Sequence, residues 1–156
     1  MAKYSIDTSS ILHGWRRHYP PEVFPALWKN LEKLIEAGDL IASEEVLHDL
    51  EKKDDEVYKW AKSQTGLFIQ TDEAIQVAVQ GILAQHKKLV DTRRNRSASD
   101  PFVIALGRIA DCAVVADEQP GGGLDRPRIP DVCAAMGIRY MNLLALIREQ
   151  KWVFRG

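Results

Sequence analysis

Residues 97–118, SASDPFVIALGRIADCAVVADE, carry the pattern of a helix followed by a buried strand. Pro101 stands where proline is favoured, in the first turn of a helix, and the run CAVVA is too apolar to be exposed. Asp100 lies where the helix begins, and Asp117 with Glu118 lies where the strand ends. These carboxylates either cap a helix and solvate a loop, or they converge on a positively charged ligand.

The same alternation of short strands and amphipathic helices runs through the rest of the chain. Further strands are predicted in KYSID (3–7), DLIAS (39–43) and IRYM (138–141), and LFIQT (67–71) is a strand or a packed turn. Helical spacing of apolar residues is found at 24–38, 44–53, 54–63, 71–89, 129–137 and 142–150. This order predicts an α/β fold with three layers, in which helices flank a central, mainly parallel β-sheet. The length fits one domain spanning 1–156.

The composition excludes several classes of protein. The formal net charge is −1, so no overall field attracts nucleic acid, and any contact with a polyanion must come from a local patch. No apolar run approaches the roughly 18 residues of a membrane span, and MAKYSIDTSS lacks the apolar core of a signal peptide. We therefore expect a cytoplasmic protein without a membrane partner. Cys112 and Cys133 lack metal-ligand spacing and are predicted to be free, buried thiols.

Carboxylates follow the predicted strands at the edge where ligands bind in open parallel sheets. Asp7 ends the first strand, and Asp100 begins the helix of the opening segment. Each has an ordinary alternative role, since Asp is a good N-cap and Ser97 stands three residues before Asp100, in capping-box spacing. Asp117 and Glu118 fit the start of a solvated loop.

Further acids lie on the helix EEVLHDLEKK, where Glu45 and Asp49 share one face. Asp49 could instead pair with Lys53 on the next turn. Acids that gather at one sheet edge repel one another, so they take up protons or bind cations. Carboxylate oxygens without histidine or thiolate partners suit Mg²⁺ or Mn²⁺, and the histidines show no zinc spacing.

Four segments together resemble a PIN domain: YSIDTSSIL, SEEVLHDLEKKDDEVYKWAK, SDPFVIALGRIADCAVVADEQP and IPDVCAAMGIRYMNLLALIREQKWVF. More narrowly, they are similar to a bacterial PIN-like subgroup regarded as ribonuclease toxins of toxin–antitoxin pairs. The resemblance covers almost the whole chain. It implies a central parallel sheet flanked by helices and an acidic site that binds Mg²⁺ or Mn²⁺ and cuts RNA.

The resemblance also implies which residues form that site. The four acids of the family motif match Asp7, Asp49, Asp100 and Asp117, as catalytic residues and metal ligands. The family has Glu where Asp49 stands, so Glu45 is an alternative second acid, and Glu118 is an alternative fourth acid. The hydroxyl that follows the first acid matches Thr8 or Ser9.

The resemblance implies two partners, RNA and an antitoxin protein. A homodimer is a further option. The basic residues Arg93, Arg94 and Arg96 either hold RNA phosphates or solvate a helix end. The expected activity is that of a metal-dependent endoribonuclease, in which a metal-activated water attacks the phosphodiester. The alternative is a catalytically idle PIN-like module that binds RNA or a protein. The four tryptophans fall in amphipathic patterns, which favours packing over stacking on bases.

Overall fold

The computed structural model describes residues 1–89, 98–120 and 127–155. Its strands are β1 Tyr4–Ile6, β2 Leu40–Ser43, β3 Phe68–Ile69, β4 Ala113–Val115 and β5 Tyr140–Met141. Its helices are α1 Thr8–His13, α2 Pro25–Glu36, α3 Glu44–Lys53, α4 Asp55–Lys62, α5 Glu73–Gln85, α6 Asp100–Ile109, α7 Ile129–Met136 and α8 Leu143–Glu149. A π-helical segment, Gly14–His18, continues α1, and a 3₁₀ turn, Lys87–Leu89, follows α5.

The five strands form one sheet in the order β3-β2-β1-β4-β5, and every neighbouring pair is parallel. Helices flank this sheet, which confirms the predicted three-layer α/β architecture with a parallel centre. The chain moves from β1 to one side through β2 and β3, and then crosses to the other side with β4 and β5. The strand order therefore reverses between β1 and β4, and ligands of open α/β sheets bind at such a reversal.

Among the described helices, α6 is the most deeply buried, and it packs on the central strands β1 and β4. Its residues Val103, Ile104 and Ala105 are fully buried, and the Ser5 hydroxyl of β1 donates a hydrogen bond of 3.0 Å to the Val103 carbonyl. A Cβ atom added to Gly107 would lie 2.7 Å from Val114 Cγ2, so this glycine permits close packing of α6 on β4. The helix start, which carries Asp100, is thereby fixed against the central strands.

Local sequence signals set several element boundaries. The side chains of Ser43, Asp72 and Asn142 each accept a hydrogen bond from the first turn of α3, α5 and α8, which confirms the predicted caps at Ser43 and Asn142. Gly137 ends α7 in the left-handed conformation, with φ of 70°. The helix predicted at 71–89 is shorter than expected, because the backbone leaves helical geometry at His86.

All four tryptophans pack in or against the hydrophobic core, as their amphipathic positions predicted, and three of them pack against one another. The rings of Trp15, Trp28 and Trp60 lie with centroids 4.9 to 5.8 Å apart. Trp28 Nε1 donates to the Tyr19 carbonyl at 2.7 Å, so the cluster also fixes the end of the π-helical segment. Trp152 packs against the core as well.

The two cysteines are free thiols, with Cys133 buried and Cys112 partly buried. Burial raises the pKa of Cys133 to about 12 and that of Cys112 to about 11, so neither is a thiolate at neutral pH. Within the three described ranges, no helix has both the length and the apolar character needed to cross a membrane.

Candidate metal centre

Three carboxylates meet at the edge of the sheet where the strand order reverses. One oxygen each from Asp7, Asp100 and Glu118 lies within 4.8 Å of the others. Asp7 follows β1, Glu118 comes three residues after β4, and Asp100 is the first residue of α6. These three residues are called the inner acids below. Asp7 and Asp100 are only 2% and 4% exposed, so two of the three charges lie away from water.

Asp7 is both a helix cap and a member of the inner acids. Its Oδ2 accepts hydrogen bonds from the Ser9 hydroxyl at 2.6 Å and the Ser9 amide at 3.2 Å. Its Oδ1 is buried and has no hydrogen-bond partner in the described part of the chain. A buried carboxylate oxygen without a partner is costly, so capping does not account for the whole side chain.

The environment of Asp7 disfavours its charged form. Burial, the largest cause, raises its pKa from 3.8 to about 6; hydrogen bonds from Ser9 lower it, and the nearby charge of Glu118 raises it. Burial and the charge of Glu118 both raise the pKa of Asp7. A cation placed among these carboxylates would oppose both effects, because it would neutralise the buried charge and the repulsion.

Asp100 stands in the first turn of α6, where the helix dipole favours a negative charge. The preceding residue, Ser99, occupies the cap position, but its side chain makes no capping hydrogen bond. The Ser99 hydroxyl donates instead to Asp49 Oδ2 at 2.6 Å. The predicted cap at Ser97 lies outside the described residues.

Glu118 is held from the other side by α7. Its Oε2 accepts a hydrogen bond of 3.0 Å from the amide of Ile129, the first residue of that helix. A carboxylate at a helix start is stabilised by the unpaired amides and by the dipole. Glu118 was the alternative fourth acid in the sequence, and the structure places it among the inner acids.

Asp117, which the sequence predicted to join Asp7 and Asp100, is not one of the three acids that meet within 4.8 Å. Its Oδ2 lies 2.5 Å from His13 Nδ1 and 3.4 Å from His18 Nε2. Asp117 and Glu118 both lie beyond the last residue of β4, and different partners hold them, His13 for Asp117 and the amide of Ile129 for Glu118. The Asp117 amide donates to the Ser9 hydroxyl at 2.9 Å, which ties it to Asp7 through one side chain.

Asp49 also lies outside the inner acids, although it is connected to them. Its Oδ2 accepts from the Thr8 hydroxyl at 3.0 Å and from the Ser99 hydroxyl at 2.6 Å. Thr8 and Ser99 are the chain neighbours of Asp7 and Asp100. Asp49 therefore cross-links α1, α3 and the start of α6. Glu45, the alternative second acid, pairs with His48 at 3.5 Å.

The sequence missed His13 as a partner of this region. Ser9 and His13 are four residues apart on α1 and therefore share a face, and both contact Asp117. The four-residue spacing was visible in the sequence, but nothing there indicated which strand end would approach this face. Arg93, Arg94 and Arg96, which were predicted to hold RNA, lie outside the described residues.

The chain matches a family model over almost all of its length. The model of a domain of unknown function, DUF4411, matches residues 4–154. The chain belongs to the DUF4411 family. No curated protein sequence matches it. The matched range contains all three inner acids together with Asp49 and Asp117, so the whole arrangement lies inside the DUF4411 domain.

The inner acids of this DUF4411 domain fit a hard divalent cation. All three donors are carboxylate oxygens, which Mg²⁺ and Mn²⁺ prefer, and no thiolate or imidazole belongs to the group. The unpartnered Oδ1 of Asp7 and the raised pKa of that carboxyl both indicate that Asp7 has no compensating charge among the described residues.

Proposed function

We propose that this DUF4411 protein is a metal-dependent endoribonuclease, a hydrolase that uses Mg²⁺ or Mn²⁺ to cut RNA phosphodiester bonds. The observation that carries the proposal is the convergence of Asp7, Asp100 and Glu118 within 4.8 Å, two of them buried. An acidic group of this kind is not specific to one reaction by itself. Its position gives it more weight, because it stands at the reversal of strand order where α/β folds bind ligands.

Each residue has a role in the proposed site. Asp7, Asp100 and Glu118 would hold the metal. When bound, the metal would act as a Lewis acid, lower the pKa of a bound water and compensate the charge of the phosphate. Ser9 orients Asp7 through two hydrogen bonds. Asp49 fixes the starts of α1 and α6 through Thr8 and Ser99, and so sets the distance between Asp7 and Asp100.

RNA as the substrate, and the role of a toxin in a toxin–antitoxin pair, follow from the resemblance of the chain to PIN domains. The same resemblance implies an antitoxin protein as partner. We retain Arg93, Arg94 and Arg96 as predicted phosphate contacts, since they precede the helix that carries Asp100.

A second candidate is a DUF4411 module that binds RNA or protein without cleaving. One observation favours it: the acid at the second family position, Asp49, is occupied by two hydroxyl donors and is not an inner acid. The two candidates differ in whether metal binding depends on the inner acids.

The test is Mn²⁺ titration by calorimetry, together with cleavage of single-stranded RNA. Replacing Asp100 by Asn should abolish cleavage and weaken Mn²⁺ binding at least tenfold. The matched control is Asp55→Asn, since Asp55 is an exposed acid that also begins a helix, α4, outside the site. Unchanged Mn²⁺ binding in Asp100→Asn would refute the metal centre, and metal binding without cleavage of RNA would favour the idle module.

A further inference from the structure

A cavity is lined by Asp117, the chain neighbour of the inner acid Glu118. Its volume is about 490 Å³, within the range of roughly 300 to 1,000 Å³ typical of small-molecule pockets. Its walls come from α1 and the π-helical segment, from the residues after β4, and from the start of α8. Asp117 and Asn142 each follow a parallel strand, so the cavity opens at the same sheet edge as the metal centre.

The cavity presents donors that the fold leaves unused. The Ser10 hydroxyl is buried, with the residue 1% exposed, and has no hydrogen-bond partner among the described residues. Arg17 makes no hydrogen bond or ion pair with any residue that the structure describes, whereas its neighbour Arg16 is bound to Asp54 and to the Lys53 carbonyl. The exposed guanidinium of Arg17, which is free among the described residues, lies on the cavity wall and indicates a ligand with acceptor oxygens.

The remaining walls define the rest of that ligand. Tyr19 supplies an aromatic ring, and Leu143 and Leu144 supply apolar surface. Asn142 lines the cavity and caps α8 with its Oδ1, so its side-chain NH₂ group remains as a donor. Asp117 is the acceptor, held by His13 and His18. An anionic group, a hydrogen-bonding edge and a flat apolar face are together the features of a nucleotide.

We propose that this cavity binds one nucleotide of the RNA strand next to the phosphate that lies at the inner acids. The inference rests on the proposed function and adds a substrate subsite to it. Asp117 lines the cavity and Glu118 belongs to the metal centre, and their Cα atoms are about 3.8 Å apart as chain neighbours. The two sites therefore share a wall. Arg17 binds the phosphate of the bound nucleotide, and Tyr19 packs against its base.

The experiment measures fluorescence anisotropy of a labelled single-stranded RNA hexamer in EDTA, where no metal is bound and no cleavage occurs. Arg17→Gln should weaken binding about tenfold, the effect of losing one charge-assisted hydrogen bond. It should also lower the slope of log affinity against log salt by about 0.7. Arg16→Gln is the matched control, because it removes the same charge one residue away but does not line the cavity. It should change binding less than twofold.

The outcomes separate this inference from the proposed function. Equal losses in Arg16→Gln and Arg17→Gln would overturn the subsite, because the effect would then be general charge. RNA cleavage with unchanged binding by Arg17→Gln would also overturn it and leave the nuclease intact. Arg17-dependent binding without any cleavage would support the subsite and refute the nuclease. A last experiment is competition with UMP. If UMP displaces the hexamer with an affinity equal to that of the hexamer, the cavity binds a free nucleotide, and the proposal that it binds an RNA strand is overturned.

Discussion

Replacing Asp7 by Asn should stabilise the metal-free protein relative to wild type as the pH rises. Burial sets the pKa of Asp7 at about 6, against an ordinary 3.8. At about 1.4 kcal/mol per pKa unit, the ionised carboxylate costs the native state about 3 kcal/mol above pH 6. Asparagine avoids this cost. Its amide group would then occupy the position of the unpartnered Oδ1, at a cost of about 1–3 kcal/mol that does not depend on pH.

The direction in which stability changes with pH follows from proton binding to Asp7. Between pH 3.8 and about 6, native Asp7 holds a proton that the unfolded chain has released, so raising the pH lowers stability across that window. Below 3.8 both states are protonated and the carboxyl costs nothing; above 6 the full cost is present. The difference in unfolding free energy, Asn variant minus wild type, should therefore grow by about 3 kcal/mol between pH 3.5 and pH 7.5.

Urea unfolding in EDTA, followed by tryptophan fluorescence, measures this difference. The signal is suitable because Trp15, Trp28 and Trp60 form one packed cluster. Asp55→Asn is the control, since Asp55 is exposed and should give a constant offset across the same pH range. If the Asp7→Asn and wild-type stabilities run parallel from pH 3.5 to 7.5, the carboxyl of Asp7 is not strained by burial and this reasoning is refuted.

Three further outcomes are expected. Mn²⁺ at a hundredfold excess over its dissociation constant should stabilise the wild type by about 2.7 kcal/mol, and thermal unfolding should show no such gain in Asp100→Asn. Asp49→Ala should destabilise the protein by about 2–4 kcal/mol, because it removes the carboxylate that accepts from the buried Thr8 and Ser99 hydroxyls; a change below 0.5 kcal/mol in urea unfolding would contradict the cross-link. Gly107→Ala should cost about 1–3 kcal/mol, since its Cβ would lie 2.7 Å from Val114 Cγ2, and a neutral result would show that α6 can shift.

The fold was largely predictable because its signals are local. The strand YSI, the cap at Ser43 and the cap at Asn142 each depend on a few neighbouring residues, and the parallel sheet follows from the alternation of strands and helices. The helix boundary at His86 was less accessible. There the backbone departs from helical geometry although the apolar periodicity continues, and periodicity alone cannot report that departure.

The residue types of the candidate site were predictable from the sequence, but the directions of its side chains were less so. The sequence identified Asp7 and Asp100, since both follow from the position of a strand end and a helix start. Choosing between Asp117 and Glu118 required the direction of two adjacent side chains in a loop, which is set by tertiary contacts with His13 and with the amide of Ile129. His13 lies 104 residues from Asp117 and Ile129 lies 11 residues from Glu118, so a local sequence pattern reveals neither contact.

The position of Asp49 gives a physical reading of its departure from the PIN pattern. PIN domains, which the chain resembles, have Glu there, and Asp is one methylene shorter, which reduces its reach by about 1.5 Å. In this structure Asp49 does not need that reach, because two hydroxyl groups, on Thr8 and Ser99, fill the distance to the chain neighbours of Asp7 and Asp100. Ser9 makes a different link, since it accepts a hydrogen bond from the backbone amide of Asp117 and donates one to Asp7. In the proposed site, Asp49 therefore acts through Thr8 and Ser99 to position Asp7 and Asp100, so a shorter second acid leaves the three metal ligands in place.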